Sequence, residues 1–118
     1  MNETINLLKG GFVSSSGLTP EFAIFFKTFK REFKRELETI DAGNIVINRG
    51  HFYISGFFTL PSGTIYYFSM PDVRGFKFNS GHFGSLLYRT AKSYSDYTGG
   101  CNNYVLFTED MVNNMRLN

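Results

Sequence analysis

Few residues in this chain are of the types that make or break bonds, and their spacing favours binding over catalysis. The two histidines, His51 and His82, lie far apart, and neither sits in an HxxxH or HxxE pattern that would hold a metal. A nucleophile arrangement of Cys101, His82 and Asp72 can be written down, but no spacing supports it. Cys101, between Gly99-Gly100 and Asn102-Asn103, reads as an ordinary loop or strand-edge thiol. Between Asp41 and Thr108 the only carboxylates are Asp41, Asp72 and Asp96, so paired carboxylates for acid–base work are missing there. Gly75, Gly81, Gly84 and Gly99-Gly100 form neither GxxxxGK[S/T] nor GxGxxG, and they fit turns and helix stops. No enzyme activity, metal or cofactor is expected.

The chemistry that does emerge is electrostatic. Lys27, Lys30, Arg31, Lys34 and Arg35 recur at i, i+3, i+4, i+7 and i+8, one flank of a helix. Five cations on one flank repel one another, and an anionic partner would relieve that repulsion. Phosphate backbones are the obvious partner, because each neutralised phosphate releases counterions. The plain alternative is a solvated helix face, with Glu38 offsetting Lys34 and Arg35. Arg89 and Lys92, with Arg74 and Lys77, could form a second basic patch, although Lys92 and Asp96 also read as an i, i+4 pair.

These side chains need elements to position them. Residues 1–18, punctuated by Gly10-Gly11 and Ser14-Ser15-Ser16-Gly17, read as a flexible N-terminal arm ahead of a single domain over 19–118. Thr19-Pro20-Glu21 starts a helix: Thr can cap, Pro suits the first position, and Glu complements the dipole. Phe22, Phe26, Phe29, Phe33, Leu37 and Ile40 share one apolar arc, and Asp41-Ala42-Gly43-Asn44 supplies the stop. The period then becomes two. Ile45 and Ile47 mark a first strand ending at an Arg49-Gly50 turn, residues 51–60 a second, and residues 64–70 a third after the Pro61-Ser62-Gly63 hairpin. Asn79-Ser80 predicts a second helix over 81–97 with Phe83, Leu86, Leu87, Thr90, Tyr94 and Tyr97 on its buried face. A further short strand near Tyr104 and a short helix from Thr108 complete the chain. The expected fold is α+β: an antiparallel meander of three to four strands with two main helices packed on it, in helix-strand-strand-strand-helix order.

The composition fits such a domain. With 118 residues, 18% aromatic and 19% charged, the chain can bury a core without a disulfide or metal staple, and disorder is excluded. Its longest apolar run, Phe22-Ala23-Ile24-Phe25-Phe26, is far below the roughly 20 residues a membrane helix needs. The lone cysteine and a start without signal-peptide character point to a reducing, cytoplasmic setting. A net charge of +2 says little about partners. Alternation directs Tyr53 and Phe57 away from the helices, and the returning strand adds either Ile65 and Tyr67 or Tyr66 and Phe68 to that face. Tyr88 falls outside the apolar arc of the second helix, so Tyr53, Phe57, Tyr67 and Tyr88 are the rings expected outside. Such rings can stack bases or anchor a protein interface. Alternatively, the segment from Tyr104 onward covers that sheet face. A homodimer is compatible with the surplus aromatic surface.

The helix-strand-strand-strand-helix order resembles double-stranded RNA-binding domains in topology alone, because GHFGSLLYRTAKSYSDY lacks their Lys-rich second-helix start. The segments LTPEFAIFFKTFKREFKREL, GHFYISGFF, YYFSMPDVR and LLYRTAKSYSDYTGGCNNYV resemble small uncharacterised proteins of phages and conjugative elements of Gram-positive bacteria, over about residues 18–105. The resemblance implies an accessory protein acting in the bacterial host cell, in a class that includes anti-CRISPR inhibitors of host defence. The expected function is non-catalytic binding of nucleic acid, or of a nucleic-acid-handling host protein. Lys27, Lys30, Arg31, Lys34, Arg35, Arg89 and Lys92 supply charge, and Tyr53, Phe57, Tyr67 and Tyr88 supply anchors. The alternative is a protein-only inhibitor of a defence nuclease with an aromatic, salt-insensitive interface.

Overall fold

The helix marked by Pro20-Glu21 forms as α1, Pro20–Glu38, in the computed structural model, which describes residues 20–50, 53–70, 86–105 and 108–117. The proposed arm over 1–18, both histidines, Phe83, and the residues Asp72, Arg74 and Lys77 lie outside the described residues. The row Phe25, Phe29, Phe33 and Leu37, spaced by four, is fully buried, while Phe26 and Ile40 pack at the rim of the core. The helix is thus turned slightly from the expected arc, because a row at i, i+4 forms the ridge that meets a neighbouring layer. Its end is a Schellman motif. Asp41 takes the left-handed position at φ 58°, its N–H donates to Glu38 O at 3.0 Å, and the Ala42 N–H donates to Leu37 O at 3.1 Å.

Five strands follow: β1 Gly43–Arg49, β2 Ile54–Thr59, β3 Ile65–Met70, β4 Leu86–Ala91 and β5 Asn103–Val105. They form one antiparallel sheet in sequence order, a meander. The β2–β3 turn follows Pro61-Ser62-Gly63, with Gly63 at φ 91° and its N–H donating to Leu60 O at 2.8 Å. Helix α2, Thr108–Leu117, follows, so the α+β class holds with five strands among the described residues instead of three to four.

The main departure is the expected helix over 81–97. Residues Leu86–Ala91 form strand β4, and residues 92–100 form a loop. Leu86, Leu87, Thr90 and Tyr94 satisfy a helical spacing, yet Leu86 and Tyr88 alternating with Leu87 and Arg89 also satisfy a strand. Two physical terms decide. Without β4, β3 would be left with an unpaired edge, whereas pairing Ile65↔Ala91 through Ser69↔Leu87 satisfies those groups. Ser93, Ser95 and Asp96 also compete for backbone donors: the Asp96 carboxylate accepts from the Lys92, Thr98 and Gly99 N–H groups, which a helix would have used otherwise.

The core lies between the helices and one face of the sheet. Ile47, Ile54, Phe58, Phe68, Met70, Leu86 and Tyr88 form the sheet side of one core with the α1 row, and Met111 and Val112 of α2 complete it. Phe33 meets Phe68 edge-on at 4.5 Å between ring centroids and Phe58 at 6.4 Å. Opposite Phe68 in the ladder stands Gly56. A Cβ there would come within 1.8 Å of Val46 O and 2.9 Å of the Phe68 ring, so β1 and the ring both occupy side-chain space that only glycine leaves open.

Gly56→Ala is therefore expected to destabilise the domain by about 3 kcal/mol or more, since backbone has to move. A thermal melt would show a fall of roughly 10 °C or more. An unchanged melting temperature would mean the β1–β2 pair adapts freely.

Candidate functional site

With Phe25, Phe29, Phe33 and Leu37 pinned against the sheet, the opposite side of α1 is forced outward. Lys27, Lys30, Arg31, Lys34 and Arg35 are all exposed there, as the spacing predicts. Among the described residues, Lys27, Lys30, Lys34 and Arg35 make no ion pair. Each like-charged i, i+4 pair costs an isolated helix about 0.2–0.5 kcal/mol, so the stripe is held by packing on its other side.

The structure adds a cation that spacing along α1 could not reveal. Arg49 ends β1 opposite Ile54, on the helix-facing side of the sheet, and its guanidinium carbon lies 5.4 Å from the centroid of the Phe26 ring. Lys30 Nζ lies 5.9 Å from the same centroid. Around this half-buried ring opens a shallow cleft of about 610 Å³, lined by Ala23, Phe26, Lys27, Lys30, Arg31 and Arg49. Four of these six residues are cationic and none is acidic. Lys34 and Arg35 stand one turn further along α1 from Lys30 and Arg31, so the cationic flank extends beyond the cleft and its aromatic floor. The arrangement suits a polyanion, which gains from charges set side by side.

The rings expected on the far side of the sheet are mostly covered. Phe57 points away from the helices but is only 2% exposed. The cover is the loop 92–100 rather than the chain from Tyr104 onward. Tyr94 stacks on Phe57 at 5.3 Å, and Tyr97 meets Phe57 at 5.4 Å and Tyr67 at 5.8 Å, both edge-on. Tyr94 OH donates to Asn44 O at 2.8 Å, leaving Thr59 Oγ1 to donate to Tyr94 Oη at 2.7 Å. Asn44 is at φ 50° in a bulge of β1, which brings that carbonyl into line.

Arg89, expected on an exposed basic patch, is 3% exposed beneath this loop. Its guanidinium lies 4.6 Å over the Tyr67 ring, donates to Asp96 O at 2.8 Å, and has the Asp96 carboxylate at 4.0 Å. A buried cation so partnered holds the loop and is closed to an external anion. Lys92 is exposed, and its backbone N–H, not its ammonium, engages Asp96. Tyr88, expected outside, faces the helices at 8% exposure and accepts from Asn114 Nδ2 at 3.4 Å, because β4 alternates where a helix would have turned it out. Of the four anchor rings only Tyr53 stays exposed, at the β1–β2 connection where the Gly50 N–H donates to Tyr53 O at 3.0 Å.

Cys101 is exposed at a second cleft, of about 410 Å³, shared with Tyr66, Tyr88, Thr90, Gly100, Asn103 and Met115. Among the described residues no three His, Cys, Asp or Glu side chains gather as a metal site, and no helix is long and apolar enough to cross a membrane. Comparison of the chain with protein-family models, with curated proteins and with solved structures finds no match in any of the three.

Three backbone N–H donors, from Lys92, Thr98 and Gly99, hold the Asp96 carboxyl below its ordinary value of 3.8, and Arg89 adds to this. A lowered folded value means stability present at neutral pH that is lost as the pH falls from about 4 through the folded value. Asp96→Asn, which removes the charge and keeps the shape, is expected to lower the melting temperature at pH 7. The gap to the natural chain should narrow on acidification below about pH 4. A gap that stays constant with pH would show that the charge of Asp96 does not hold the loop.

Proposed function

We propose that this chain is a non-catalytic binding protein that engages nucleic acid through the outer face of α1 and the adjoining Arg49. The observation that carries the reading is the cleft that Lys27, Lys30, Arg31 and Arg49 line together with Phe26, with Lys34 and Arg35 one helical turn beyond it. The cations come from two elements distant in sequence and converge on one surface. The α1 core row fixes the direction of the helix flank, so the backbone is already in place when an anion arrives. Phosphates are matched by such a surface because arginine offers a planar fork and lysine a compact charge.

Neither sheet face offers an open row of Phe57, Tyr67 and Tyr88, so the anchor is not the aromatic platform that alternation alone predicts. The outer-face residues Tyr97 and Tyr104 are exposed, and Tyr53 with them. They mark where a protein partner would sit if binding proved indifferent to salt.

Replacing Lys27, Lys30, Arg31, Lys34 and Arg35 together by Gln should weaken nucleic-acid binding and flatten its salt dependence. Five phosphate contacts correspond to a slope of log affinity on log salt of about −4, which the variant should bring towards zero. Arg49→Gln alone should lower the slope by about one unit. Titration of a labelled oligonucleotide at several salt concentrations reads both. Full binding by the five-fold variant would overturn the role of α1, and tight salt-insensitive capture of one protein would favour the inhibitor reading.

A further inference from the structure

Resting on that reading, we propose that the cleft takes single-stranded nucleic acid, with one unpaired base laid against the Phe26 ring. A cationic surface alone does not distinguish strands from duplexes. The ring at its floor does. Phe26 is half-buried and packed at the rim of the core, which holds it in place, and it lines the cleft together with Lys27, Lys30, Arg31 and Arg49. A duplex has its base faces stacked inside and presents only edges in its grooves, so it leaves this ring unused. A single strand brings a base face and its flanking phosphates to the cleft together, the combination by which strand-binding proteins work.

The ring already carries two cations, Arg49 at 5.4 Å and Lys30 at 5.9 Å from its centroid. These distances lie at the outer reach of cation–π contact, about 6 Å. An exposed contact of that kind is worth roughly two- to fivefold in an equilibrium, whereas stacking one base is worth roughly five- to a hundredfold. A base therefore displaces the cations from the ring face, and they remain close enough to turn to the phosphates on either side. Arg49 has a second use, because its guanidinium plane can extend the stack beyond the ring.

The chain contains no tryptophan, which makes the test direct. Phe26→Trp places one indole in the cleft, and stacking of a base quenches its fluorescence. The full chain is titrated with a mixed-sequence DNA oligonucleotide, with its RNA counterpart, and with the DNA annealed to its complement. The expected result is quenching by one or both single strands and none by the duplex. Phe26→Leu, checked for an intact fold by circular dichroism, should reduce the single-strand preference by roughly five- to a hundredfold while the salt slope is kept. If the leucine variant fails to fold, quenching of the tryptophan variant decides alone. Duplex bound as tightly as single strand, or salt-dependent binding without quenching, overturns the stacked base and leaves the cationic surface standing. Absence of salt-dependent binding to all three probes overturns the underlying reading instead.

Discussion

The ring of Phe68 needs the space that Gly56 leaves empty, and the remaining architecture depends on that contact. Any Cβ at Gly56 would meet the carbonyl of Val46 and this ring. With the space open, Phe68 meets Phe33 at a near-perpendicular angle, and Phe33 in turn meets Phe58. The row Phe25, Phe29, Phe33 and Leu37 is thereby seated, and with it the rotation of α1 about its own axis. Close-packed rings tolerate little rotation, so the direction of the exposed cations follows from packing on the other side of the helix.

The same economy of space explains the large aromatic content. One set of rings fills the layer between helices and sheet, and a second set, Phe57, Tyr67, Tyr94 and Tyr97, fills a smaller layer on the far side. A loop rather than a helix closes that second layer, and a loop needs its own internal bonds to stay in place. Asp96 provides them by accepting three backbone N–H groups, while Arg89 ties the loop to Tyr67 beneath it. The buried charge of Arg89 is tolerable because its partners come with the loop.

These two layers treat the described cations differently. Arg89 is enclosed within the far layer, whereas the cations of α1 and Arg49 collect around Phe26. What distinguishes the candidate site from a solvated helix face is the arrival of Arg49 from the sheet and the ring between the two elements. A solvated face needs neither.

Local rules determined α1, its reversal at Asp41-Ala42, the hairpin at Pro61-Ser62-Gly63 and the helix from Thr108, because caps, turns and periodicity act within a few residues. They also placed Lys27, Lys30, Arg31, Lys34 and Arg35 on one surface and sent Phe57 to the side of the sheet away from α1, while the β2–β3 register put Tyr67 beside it. Residues 86–97 are where local reasoning reached its limit. Their apolar spacing serves a helix and a strand alike, and only the unsatisfied edge of β3, far away in sequence, selects the strand. Once β4 forms, alternation turns Tyr88 inward, Arg89 outward, and the following loop back over Phe57. Arg49 joins the site for the same reason, since β1–β2 pairing and the seating of α1 bring it to Phe26. Sequence alone thus decided which residues are cationic and helical. Tertiary structure decided which cations stand together and which rings remain within reach, because both depend on hydrogen-bond pairing and packing between distant segments.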